Sequence, residues 1–121
     1  MDMHPDRVKE RTPLLQIVES RMDGRRRLTL IGDLDRWTAP MLDDHLIRLR
    51  VAKCPVRLNL SRLQCMDSSG LHLLIRTVGD ARIARWQLEI EQDVTPQVMS
   101  VFKLVHLDTY LLGFRAVPDA L

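Results

Sequence analysis

The chain has 121 residues, 45% hydrophobic and 28% charged, with a net charge of +2. That length and balance suit one domain with one core and exclude a disordered chain. So small a net charge gives no reason to invoke nucleic acid or a membrane surface as partner, even though 15 of the 18 basic residues are Arg. No apolar run approaches the ~18 residues of a membrane span. The first residues, MDMHPDRVKERTP, are polar and lack a signal-peptide core. The expectation is a cytoplasmic protein with no direct membrane insertion. Cys54 and Cys65 lie at opposite ends of a strand-like run, beyond the ~7 Å reach of a disulfide, so both are expected as reduced, buried thiols.

Residues 1–13 read as a polar lead-in ended by Pro13, and residues 14–121 as one domain. Leu14–Val18 predicts a first strand, Asp23-Gly24 a tight hairpin turn, and Leu28–Ile31 a second strand stopping at Gly32. Gly32–Pro40 reads as a loop with Thr38 as N-cap of a helix. Pro40 sits in the first turn of that helix, and Leu42, Leu46 and Leu49 form its apolar stripe. Val56, Leu58 and Leu60 alternate as a third strand, and Ser61–Met66 reads as a link. A helix from about Ser69 follows, with Leu71, Leu74, Ile75, Val78 and Ala81 inward and His72 and Arg76 outward. Trp86–Ile90 predicts a fourth strand and Thr95-Pro96 starts a third helix. Tyr110–Val117 is a possible last strand. Strands alternating with helices imply an α/β fold: a single mixed sheet of four to five strands, with three main helices packed over it.

Chemistry concentrates at Asp67-Ser68-Ser69-Gly70, where a strand-like run gives way to a helix. A helix N-terminus offers unpaired N–H groups and a dipole favourable to negative charge. Three readings compete there: a plain cap, a catalytic serine and a phosphate switch. The catalytic reading lacks support, since M-D-S-S-G-L is not a G-x-S-x-G elbow and His72 projects away from the helix. His4, His45 and His106 are isolated, and neither a metal-ligand spacing nor a phosphate-binding glycine loop is present. The chain therefore reads as a non-enzymatic protein with no cofactor. Cap and switch stay open on spacing alone. Two consecutive hydroxyls, and a nearby loop carrying Asp33, Asp35 and Trp37, favour the switch.

The stretch Leu58–Leu71, LNLSRLQCMDSSGL, resembles the signature of STAS-domain proteins, particularly bacterial anti-sigma factor antagonists. The resemblance extends to Gly32-Asp33-Leu34-Asp35 with Thr38-Ala39-Pro40. Downstream it takes in Pro96, Val98, Val101, Phe102, Leu104, Leu107 and Asp108, covering about residues 14–112 in all. It implies a STAS-like fold, Ser68 as phosphoacceptor, and Asp67, Ser69 and Gly70 as its setting, with Ser69 building the helix start. It matches Asp35 to a loop acid associated with partner contact, and the neighbouring loop and helix start extend the expected partner-binding surface to Asp33, Arg36, Trp37 and His72. The implied partners are an anti-sigma factor with a kinase-type ATP-binding fold, and a PP2C-type phosphatase that reverses the modification. Binding would release a sigma factor, and phosphorylation of Ser68 would end it. The alternative is a STAS regulatory subunit that binds the ATPase of a lipid-transporting membrane complex. Arg85-Trp86 and His106 stand where the family commonly has glycine, and Gln64-Cys65 replaces a more apolar pair.

Overall fold

The computed structural model describes residues 14–112. Its elements are β1 (Leu15–Met22), β2 (Arg25–Leu34), α1 (Ala39–Val51), β3 (Val56–Met66), α2 (Ser68–Ala84), β4 (Leu88–Ile90), α3 (Pro96–Leu104) and α4 (Asp108–Leu112). The four strands lie in the order β1-β2-β3-β4. β1 and β2 are antiparallel, while β2–β3 and β3–β4 are parallel. The mixed sheet and the alternation of strands with helices are as the sequence predicts.

Asp23-Gly24 forms the expected two-residue turn, both residues having positive φ (49° and 80°), as the twist of a tight hairpin requires. The strands it joins are longer than their hydrophobic runs. β2 includes the basic residues Arg25–Arg27 and runs through Gly32 to Leu34. Gly32 does not end it; at φ +114° it carries the strand past a point where a Cβ would lie 2.1 Å from the Leu14 carbonyl oxygen.

The Ser61–Met66 segment is strand, not link. Thr29 pairs with Asn59 and Ile31 with Arg62, then Gly32 with Leu63 and Asp33 with Cys65, so β3 gains one residue on β2 at each of two bulges. Each extra residue breaks the two-residue alternation, which hides the strand from a pattern reading. The bulged half of β3 also exposes Cys65, against the expectation of burial, while Cys54 is half-buried.

Leu28, Leu58 and Ile90 pair across three strands and are almost wholly buried. Leu42, Leu46 and Leu49 of α1, Leu71, Leu74, Val78 and Ala81 of α2, and Val98 and Phe102 of α3 complete the core. β4 is shorter than predicted. Trp86 precedes it, 2% exposed, with its indole N–H donating to the Cys54 carbonyl at 2.7 Å, so it plugs the core. Tyr110–Leu112 is helical in α4 rather than strand, and the remainder of that predicted strand lies outside the described residues.

Ion pairs lace the sheet. Arg27 grips Glu91 through Nε and Nη2, both at 2.8 Å, and this bonding holds its guanidinium above the ordinary pKa. Glu19 accepts from Arg26 at 2.8 Å and from Arg48 of α1 at 3.1 Å, with His45 at 3.5 Å. Burial pushes the Glu19 carboxyl up, but its bonds and charges from Arg48, Arg26 and His45 outweigh burial and hold it below the usual 4.5. A depressed carboxyl stabilises the fold above its unfolded pKa, and that contribution is lost as pH falls through the folded one. Glu19→Gln should therefore lower stability by up to about 1 kcal/mol at neutral pH. The difference should shrink as pH falls below the usual carboxylate range and through the depressed folded pKa, as chemical denaturation at a series of pH values would register.

Candidate functional site

Because β2 and β3 are parallel, their C-terminal ends emerge at the same end of the sheet, with Leu34 in register with Met66. The loop after β2 and the helix start after β3 are therefore neighbours by topology. Leu34 joins them physically: its carbonyl accepts from the Asp67 N–H at 3.2 Å. A Cβ on the buried Gly70 would lie 2.6 Å from that carbonyl oxygen and 2.8 Å from Leu34 Cγ. Glycine at this position lets the first turn of α2 rest directly on the end of β2.

Asp67 is the N-cap of α2. Its Oδ1 accepts from the Ser69 N–H at 2.8 Å and the Gly70 N–H at 3.1 Å, and its carbonyl accepts from Leu71 at 3.0 Å. Such a cap stabilises a helix by about 1 kcal/mol. Two of the N–H groups expected to face outward unpaired are thus already bound to a carboxylate, and capping belongs to Asp67 rather than Ser69. Ser68 opens the helix, exposed, and its hydroxyl makes no hydrogen bond among the described residues. Ser69 is half-buried. His72, four residues on from Ser68, is exposed, and neither serine is bonded to it. One turn further, Arg76 pairs with Asp43 of α1 at 3.2 Å and ties the two helices together.

The neighbouring loop builds itself. Asp35 Oδ1 accepts from the Trp37 N–H at 2.9 Å and the Thr38 N–H at 3.0 Å. Thr38 is 2% exposed; its Oγ1 accepts from the Asp35 N–H and donates to the Asp33 carbonyl, each at 2.9 Å. Thr38 therefore precedes α1 as predicted, but its hydroxyl braces the loop instead of capping the helix. Asp33 is anchored through its backbone to Leu14 at 2.7 Å. Arg36 and Trp37 face solvent, the guanidinium 4.9 Å above the indole ring and the Trp37 side chain 69% exposed. The sequence-predicted residues thus gather at one end of the sheet in two roles. Asp33, Asp35, Asp67 and Gly70 shape it, while Arg36, Trp37, Ser68 and His72 face outward.

Pattern reading missed the role of Leu34, because an apolar side chain gives no sign of what its backbone carbonyl will bind. It also missed the bracing role of Thr38, which the Asp-x-x-Thr spacing at 35–38 does signal. Among the described residues no group of three or more His, Cys, Asp or Glu could hold a metal ion, and no helix is long and apolar enough to cross a membrane.

A family model described as "Mlab, STAS domain" matches residues 17–113, and the chain belongs to this STAS-domain family. Solved structures similar to it include the following three. An anti-sigma factor antagonist from Mycobacterium paratuberculosis has 20% identity and a TM-score of 0.68, over 89% of each chain. The anti-sigma factor antagonist SpoIIAA in its unphosphorylated form has 18% identity and a TM-score of 0.58, over 74% of this chain and 82% of that one. Mglu has 28% identity and a TM-score of 0.55, over 61% of this chain but only 19% of its own. At these identities the two antagonists establish a shared fold. A search of curated proteins gives no match.

Proposed function

We propose that this protein is an anti-sigma factor antagonist: a cytoplasmic, non-enzymatic STAS domain spanning residues 14–121, with residues 1–13 as a lead-in. It binds an anti-sigma factor of kinase-type ATP-binding fold and so releases a sigma factor. The kinase switches it off by phosphorylating Ser68, and a PP2C-type phosphatase restores it. The observation that carries this reading is the exposed, unengaged Ser68 hydroxyl at the start of α2, directly beside the Asp67 carboxylate. A phosphate there brings about −1.5 to −2 charge against a carboxylate that already holds the nearest helix donors. The modified surface is then hard to desolvate in a complex. Arg36 and Trp37, exposed on the adjoining loop, supply residue types that anchor interfaces.

A second reading is a STAS subunit that binds the ATPase of a lipid-transporting membrane complex through the same face, with no phosphate on Ser68. What favours it is the matching family model, whose description, "Mlab, STAS domain", does not name the antagonists. Copurification from the native cytoplasm, with intact-mass measurement, tests both. We expect a kinase-fold partner and a phosphorylated fraction whose phosphate maps to Ser68. A transporter ATPase captured with unmodified Ser68 would establish the second reading instead.

A further inference from the structure

β1 is an outermost strand, paired with β2 without a register shift from Leu15 opposite Gly32 to Met22 opposite Arg25. The two-residue turn makes Met22 and Arg25 a hydrogen-bonded pair, and the Asp33 N–H on the Leu14 carbonyl fixes the same parity at the other end. Even-numbered residues of β1 therefore direct their backbone groups at β2. Leu15, Ile17, Glu19 and Arg21 direct theirs outward, along an edge that no described residue pairs with.

Edges of this kind are usually guarded by proline, lysine, a bulge or shortness. β1 is eight residues long, LQIVESRM, with no Pro, no Lys and no bulge. Of its two charged residues, Glu19 is drawn back over its own subunit to Arg26 and Arg48. Val18, on the opposite face of the strand from Glu19, is 40% exposed. The other edge of the sheet, β4, is only three residues long.

We propose that β1 pairs antiparallel with β1 of a second copy, about a twofold axis at Val18, joining two sheets into one. The self-complementarity of the strand selects this occupant. In that register Leu15 lies opposite the second copy's Arg21, and Ile17 opposite its Glu19. Each outward residue thus meets another outward residue, in four closely spaced pairs of two N–H···O bonds each. Gln16 meets the second copy's Ser20. Val18 meets its own copy in a non-hydrogen-bonded pair, where side chains approach most closely. No like charges lie directly opposite, and a twofold axis closes the assembly at two copies. Strand pairing alone buries little surface, so the dimer is a weak one. This inference concerns β1 and is independent of the Ser68 reading.

Sedimentation of the full chain over a concentration series up to about 1 mM should show monomer passing to dimer. Val18→Lys sets two ammonium groups against each other across the axis while leaving an exposed position of the monomer intact, and should raise the dimer dissociation constant at least tenfold. In a Cys65→Ser background, Val18→Cys should oxidise to a linked dimer, whereas Gln16→Cys should not, since its copies lie four residues apart across the axis. A chain monomeric throughout, a dimer indifferent to Val18→Lys, or equal linking at both positions overturns the proposal. So does concentration-independent amide protection of Ile17 and Glu19, which would mean that the chain's own residues 1–13 cover the edge. Protection appearing only with a different protein would mean a heterologous strand, and overturns it equally.

Discussion

Ser68→Glu is expected to weaken binding of the partner by more than about a hundredfold while leaving the fold in place. A loss of about 3 kcal/mol suffices for that factor, and an unpaired, desolvated negative charge in an interface readily reaches it. The fold is spared because Ser68 is exposed in the first turn of α2, where the helix dipole tolerates negative charge. The neighbouring Asp67 carboxylate opposes that gain, so the change in unfolding free energy should stay within about 1 kcal/mol. Titration calorimetry against the copurified partner, together with denaturant unfolding, separates the two quantities. Ser68→Ala should bind like the unmodified protein yet no longer be switched off. Native-like affinity in Ser68→Glu would remove Ser68 from the switch.

Gly70→Val should be the most damaging single change at the site. Its Cβ would meet the Leu34 carbonyl at 2.6 Å and Leu34 Cγ at 2.8 Å, and that carbonyl is held in place by the Asp67 N–H. Neither backbone can give way cheaply, so the start of α2 must lift off β2, at a cost of about 2–3 kcal/mol. For a domain of this size that is roughly 10 °C in Tm. Partner affinity should fall as well, because lifting the turn moves Ser68 relative to the loop. Gly79→Ala is the control: nothing lies within 4 Å of its Cβ position in mid-helix, and it should raise stability by about 0.5–1 kcal/mol. Equal melting temperatures for Gly70→Val and the parent chain would show that the contact with Leu34 is not tight.

What the sequence made legible follows from which residues keep a simple period. The apolar stripes of α1 and α2, and the Asp23-Gly24 turn, obey periods of 3.6 or the φ demands of a turn, and the structure follows them. The second half of β3 was not legible because two bulges shift its alternation. Asp67, Ser68 and Ser69 are all residue types that cap helices, so spacing alone does not choose among them, whereas the structure gives the cap to the Asp67 carboxylate. Arg85 and His106, which depart from the family's usual glycines, adopt left-handed backbone (φ 55° and 59°) at the ends of α2 and α3. The backbone kept the shape that glycine serves, at a cost of about 1–2 kcal/mol per residue. At the site, the sequence reading brought the right segments together, because the motif and the loop are both strand ends. It could not reveal Leu34 as their junction, since its role depends on a backbone carbonyl.

If the loop is the docking surface proposed above, the turn closed by Asp35 and Thr38 bears on how a partner is chosen. Its backbone is fixed by its own side chains before any encounter, so the ordering entropy is met on folding rather than on association. Arg36 and Trp37 ride on that fixed frame and touch each other. Under the proposed function, the outward pair carries recognition while the loop's own hydrogen bonds carry its architecture. On that reading, exchanging the outward pair would alter the choice of partner without redesigning the frame that holds it.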